Sequence, residues 1–146
     1  MALVAGAARG GSVAGLAMFE GALCLVTAGK ATALAATAFT LSWAHSVEKT
    51  RWEEDWRLTP AGLEVVEARI KGSGAGMEPP AGSVLKDGWW VYRPKVPPLP
   101  ALALAASGAT GGGWRLCVAG DCLEVGATAG AGTEIRRCAA GEGAGR

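Results

Sequence analysis

Two neighbouring stretches of this chain change character at every residue. Phe39, Leu41 and Trp43 alternate with Thr40, Ser42 and Ala44. A few residues later Trp52, Glu54 and Trp56 alternate with Arg51, Glu53, Asp55 and Arg57. Successive side chains of a strand point to opposite faces of its sheet, so a period of two marks a half-buried strand and is incompatible with an amphipathic helix. Residues 37–45 and 50–58 therefore read as strands, close enough in sequence to form a hairpin. On the same track His45 falls on the Phe39/Leu41/Trp43 face, and Glu54 shares a face with Trp52 and Trp56.

The rest of the chain from residue 23 onward agrees with this pattern. Residues 23–28 are apolar and stop at Gly29-Lys30. Thr59-Pro60-Ala61-Gly62 has proline second and glycine fourth, as a type I turn prefers. Residues 63–71 are two-sided in their message. Leu63, Val66 and Ile70 have helical spacing, but Val65 and Val66 are β-branched and follow a hairpin-like turn, so strand is preferred. Residues 72–76 form a glycine-rich loop and 79–82 a further break. Shorter strands follow at 89–93, 101–106, 114–118, 122–125 and 133–138, separated by the proline-rich run 94–100 and by Gly111-Gly112-Gly113. The expectation is an all-β fold, a small antiparallel sandwich or barrel of roughly eight short strands, with one domain over 23–138. Residues 1–22 read as a degenerate signal-like or disordered segment, because Arg9 follows rather than precedes apolar sequence and Glu20 interrupts the run. A membrane span there is not expected. Residues 139–146 read as a loose tail.

Composition limits both core and partners. Half of the 146 residues are hydrophobic, but many are alanine, so the large core candidates are leucine, valine, isoleucine and six tryptophans. The net charge is +1 and the charges are interleaved. Phosphate backbones are bound by several clustered lysines or arginines, so nucleic acid is not an expected partner.

Four cysteines allow three pairings. Cys117 and Cys122 flank a hairpin-like loop and could face each other across it, which would leave Cys24 for Cys138. Reduced core thiols and a zinc site are the competing readings. Zinc ligands usually come as two close pairs, and here only one pair is close, with the sole histidine far from it. Disulfides are preferred, no metal is expected, and an oxidising compartment follows.

The densest polar cluster is His45-Ser46-Val47-Glu48 with Glu53, Glu54 and Asp55 beyond it. A histidine beside a carboxylate can act as a general base or hold a ligand by charge-assisted hydrogen bonds. Candidate ligand-binding residues are His45, Ser46, Glu48, Glu54 and Trp56, with Gly74 and Gly76 permitting close backbone approach. The competing reading of His45, a local hydrogen bond that fixes a turn, is preferred over ligand binding, and ligand binding over catalysis. The sequence contains no GxSxG, Walker or HExxH signature, and Gly74-Ala75-Gly76 lacks the rest of a dinucleotide fingerprint. No catalytic residue and no cofactor are assigned.

The run from His45 through Trp56, together with Gly74-Ala75-Gly76-Met77 and the Leu116-Cys117 and Cys122-Leu123 hairpin, resembles the bacterial family called domain of unknown function eighteen-fifty over about residues 23–138. That resemblance implies a small exported, periplasmic protein, encoded beside transporters of the tripartite TRAP class of TAXI type. It implies an accessory or ligand-binding role near such a transporter, with contact to the membrane only through that partner. It carries no established activity and no proven site. A small hydrolase-like enzyme, or a metal or small-molecule binder built on His45, Glu48 and Glu54, is the alternative.

Overall fold

A computed structural model describes residues 22–44, 50–71, 79–106 and 113–142. Eleven strands appear among them. They are β1 (Leu23–Thr27), β2 (Lys30–Leu34), β3 (Ala38–Ala44), β4 (Arg51–Thr59), β5 (Gly62–Lys71), β6 (Val84–Lys86), β7 (Trp89–Tyr92), β8 (Ala101–Ala106), β9 (Trp114–Val118), β10 (Asp121–Val125) and β11 (Gly130–Arg137). They form two antiparallel sheets, a narrow one in the order β2-β1-β11-β8 and a wide one in the order β10-β9-β3-β4-β5-β7-β6. The architecture is a sandwich. The barrel alternative falls away because neither sheet closes on itself.

The two strands beyond the expected set are β2 and β6, and both arise from tight hairpins. In β1–β2 the turn is Ala28-Gly29, in β6–β7 Asp87-Gly88, and in β9–β10 Ala119-Gly120. Each has positive φ at both positions, near 52° and 79°, 52° and 85°, and 51° and 91°. Two consecutive left-handed residues twist a two-residue turn to match the strands it joins. The β4–β5 turn is different. Gly62 sits at φ 127°, and a Cβ there would lie 2.6 Å from the Leu99 carbonyl oxygen. That approach lets Leu63 and Leu99 exchange both backbone hydrogen bonds, at 2.7 and 2.9 Å, and so carries the chain from the wide sheet toward β8.

The ambiguity over residues 63–71 has a structural cause. Across β4–β5, Asp55 faces Glu67 and Trp56 faces Val65, so Val66 is an extra residue in β5. Such a bulge shifts the alternation by one. Leu63 and Val65 point inward before it, and Ala68 and Ile70 point inward after it. Spliced at Val66, two strand patterns mimic a helical spacing.

The core lies between the sheets. Leu23, Leu63, Leu116 and Ile135 are fully buried, joined by Leu25, Phe39, Leu41, Trp56, Leu58, Leu104 and Val125. Each such side chain contributes about 1.5–3 kcal/mol relative to exposure. A smaller cluster of Ala22, Cys24 and Cys138 closes the far side of the narrow sheet. All four cysteines are bonded, Cys24 to Cys138 and Cys117 to Cys122, and none is free. Two disulfides in so small a domain suit an oxidising, extracytoplasmic environment.

Candidate functional site

Strand β4 runs through the middle of the wide sheet and presents carboxylates on both of its faces. On the outer face, Arg69 of β5 gathers two of them, Glu53 and Asp55, together with Glu67 of its own strand. Its Nε donates to Glu53 at 2.7 Å, its Nη1 to Asp55 and Glu67 at 3.0 Å each, and its Nη2 to Asp55 at 3.2 Å. Thr40 of β3 adds a 2.8 Å hydrogen bond to Asp55. Partial burial pushes the Asp55 carboxyl up, but the hydrogen bonds from Arg69 and Thr40 outweigh it and hold the group below the usual aspartate range. The Arg69 guanidinium is correspondingly held above its ordinary value, chiefly by its bonds to Asp55. This cluster ties three strands together around one guanidinium.

The inner face carries a single carboxylate, Glu54. Register places it between Leu41 of β3 and Ala68 of β5, both buried, and Tyr92 of β7 pairs in turn with Ala68. The rows on either side are aromatic. Phe39 stacks on Trp56 with centroids 6.5 Å apart, Trp43 stacks on Trp52 at 6.0 Å, and Trp114 tilts onto Trp43 at 5.0 Å. Glu54 accepts a 2.9 Å hydrogen bond from Trp56 Nε1. Burial raises its carboxyl above the ordinary glutamate value, and the indole hydrogen bond offsets only part of that. Tyr92 is raised too, first by burial and then by the Glu54 charge. The other indole of β4, Trp52 Nε1, is buried and has no hydrogen-bond partner among the described residues. The inner face thus offers one carboxyl that retains its proton to higher pH than usual and one unused N–H donor, both between aromatic walls. That chemistry suits holding a polar group of a bound molecule.

Of the residues singled out from sequence, the structure brings Glu54 and Trp56 into direct contact on one face. His45, Ser46, Glu48, Gly74 and Gly76 lie outside the described residues. Ala44, Arg51 and Lys71 occupy one register row across β3, β4 and β5, next to the row of Trp43 and Trp52. Among the described residues no three His, Cys, Asp or Glu side chains form a metal-binding group, and no helix is long and apolar enough to cross a membrane.

One feature escaped the sequence reading. A cleft of about 480 Å³ opens between the narrow sheet and β10, where Leu25, Thr27, Lys30, Thr32, Val125 and Thr133 line it. The alternation of Lys30, Thr32 and Leu34 with Ala31 and Ala33 was its only trace in the sequence.

Neither curated proteins nor solved structures provide a match to the chain. A family model does, over residues 39–125, more than half of the chain and almost all of the wide sheet from β3 to β10. The chain belongs to the family described as Domain of unknown function (DUF1850).

Proposed function

We propose that this protein is an extracytoplasmic, periplasmic β-sandwich that binds rather than catalyses, and that it serves as an accessory to a TAXI-type TRAP transporter or its solute-binding protein. The observation that carries the reading is the complete pairing of the cysteines. The Cys24–Cys138 bond spans 114 residues and joins β1 to the end of β11. In the chain-entropy model a loop of that length constrains the unfolded state by about 4–5 kcal/mol. A domain relying on such a bond is favoured where thiols oxidise and at a disadvantage where they are kept reduced. The transporter partner rests on the resemblance described above alone.

The inner face supports binding over chemistry. Glu54 is engaged by a neighbouring indole and enclosed by aromatic rings, an arrangement that orients a carboxyl rather than placing it beside a nucleophile.

Three measurements test the reading. Protein recovered from an oxidising compartment should show no titratable thiol without reduction. Tagged protein from its native host should retain components of the neighbouring transporter, and deletion of its gene should alter uptake of that transporter's solute. Free thiols in the exported protein, or unchanged uptake with no association, would overturn it.

A further inference from the structure

The cleft beside β10 has a chemistry that neither the family nor the proposed role assigns. Antiparallel register fixes what faces into it. In the narrow sheet Lys30 pairs with Thr27 and Thr27 with Thr133, so these three side chains lie in one row. The next row holds Thr32, Leu25 and Ile135, and the one after it begins with Leu34. The wide sheet contributes Leu123 and Val125 from β10. Val125 and Leu25 are buried at the base, whereas Lys30, Thr27 and Thr32 are exposed at the mouth. The cleft is therefore graded, from aliphatic inside to hydroxyl-bearing and cationic at the rim.

Of its two charged lining residues, Lys30 and Glu124, only Lys30 lies in an inward-facing row. Lys30 makes no ion pair among the described residues. Glu124 contributes to the wall, but it alternates with the inward Leu123 and Val125, and its register partner is Arg115 on the outer face of β9. Its side chain consequently leaves β10 on the face opposite Leu123 and Val125. Thr27 and Thr133 share a 2.6 Å hydrogen bond between their hydroxyls. A pair of hydroxyls holds one hydrogen bond between them and keeps one proton and several lone pairs for a third group. The bulge in β11 between Gly130 and Thr133 leaves backbone out of the ladder at the same place. The volume, about 480 Å³, is within the range of small-molecule sites.

We propose that this cleft binds a small amphipathic organic anion, a carboxylate on a short aliphatic or aromatic body. The carboxylate is placed at Lys30 with the Thr27/Thr133 hydroxyls, and the apolar body lies against Leu25, Leu34 and Val125. An ammonium beside hydroxyl donors selects for negative charge, and an aliphatic floor selects against a bare inorganic ion. This site does not depend on the transporter reading, because it is a property of the isolated domain and is tested there.

The test uses the oxidised, full-length protein and sodium hexanoate, with hexan-1-ol and hexylammonium chloride as matched probes, followed by amide NMR. Hexanoate at millimolar concentration should shift the amides of Thr27, Lys30, Thr32 and Thr133 as one saturable set. The alcohol and the ammonium should bind at least about tenfold more weakly, as loss of a charge-assisted contact implies. Lys30→Met keeps the aliphatic stem at an exposed edge position and should weaken hexanoate by a similar factor. It should leave the dispersion of the spectrum intact. Shifts scattered over the molecule, equal response to hexylammonium, or undiminished binding by Lys30→Met would each overturn the proposal.

Discussion

Glu54 and Asp55 are adjacent on one strand and carry the same functional group, yet their acidities move in opposite directions. Glu54 points between the sheets, where a neutral indole N–H is its one side-chain hydrogen-bond partner among the described residues and burial dominates. Asp55 points outward, where a bidentate guanidinium and a threonine hydroxyl outweigh a smaller burial. The difference teaches that residue type says little about a carboxyl on a strand, and that the face decides. It also separates roles. The outer group belongs to an ion-paired cluster that braces β3, β4 and β5, while the inner one is a polar group in a hydrophobic wall, which stability alone does not require.

The comparison is broken most severely by removing the residue that sets it. Val66 is the extra residue that turns Arg69 and Glu67 outward and Ala68 and Ile70 inward. Its deletion forces either the charged pair inward or Leu63 and Val65 outward, since a one-residue slip exchanges the faces. The expected outcome is loss of cooperative folding, seen as loss of a sigmoidal urea transition. A folded deletion variant with native-like spectra would show that the bulge does not govern the faces.

Removing the cation is the next largest perturbation. Arg69→Met keeps bulk but leaves Glu53, Asp55 and Glu67 facing one another. Their side chains are 21%, 37% and 35% exposed, so solvent screens part of the repulsion. A loss of about 1–2 kcal/mol at neutral pH is expected from a broken charged hydrogen-bond set. Because the loss depends on ionised carboxylates, it should shrink when stability is measured in acid. An equal loss at both pH values would mean that Arg69 acts by packing alone.

How much of this was legible beforehand follows from the same physics. The alternation at 39–43 and 52–56 announced the two faces and placed Glu54 beside Trp56, because within one strand period two is local information. Residues 63–71 were ambiguous because a bulge splices two registers, and a bulge depends on the partner strand. Strand β2 was missed because its turn uses Ala28 at positive φ, where asparagine or glycine is the usual signal. Strand β6 was marked only by Asp87-Gly88, a strong hairpin dipeptide, because its three residues are too few to show an alternation. The cleft was illegible because Thr133 joins Thr27 and Lys30 only through pairing of strands about a hundred residues apart.

The inner carboxyl offers a gentler test. Glu54→Gln keeps the shape and a hydrogen-bond acceptor for Trp56 but removes the titration. Since the folded-state acidity of Glu54 is weakened relative to the unfolded chain, the native state binds the proton more tightly. Its favourable contribution is fully present below the ordinary value of 4.5 and is lost as pH rises through the raised folded value. The variant should therefore match the parent in acid and exceed it at neutral pH, by about 1 kcal/mol or less. Matched stability at every pH would mean that Glu54 is not desolvated.

The smallest expected effect comes from the other face and has the opposite sign with pH. Thr40→Val removes one neutral hydroxyl donor from Asp55 and leaves the guanidinium in place. Asp55 is more acidic in the folded state than in the unfolded chain, so its contribution is present above about 3.8 and is lost as pH falls through its depressed folded value. Without the Thr40 hydroxyl that depression is smaller, and the variant should be about 0.5–1 kcal/mol less stable near neutrality. The deficit should narrow in acid, where the Asp55 carboxyl is protonated in both proteins. Paired with Glu54→Gln, it yields two stability differences that both close as pH falls. One is a gain that disappears and the other a loss that disappears. Urea melts of parent and both variants from acid to neutral pH read them together. If both differences had the same sign at neutral pH, the two faces of β4 would not be the opposed environments that separate the bracing cluster from the candidate site.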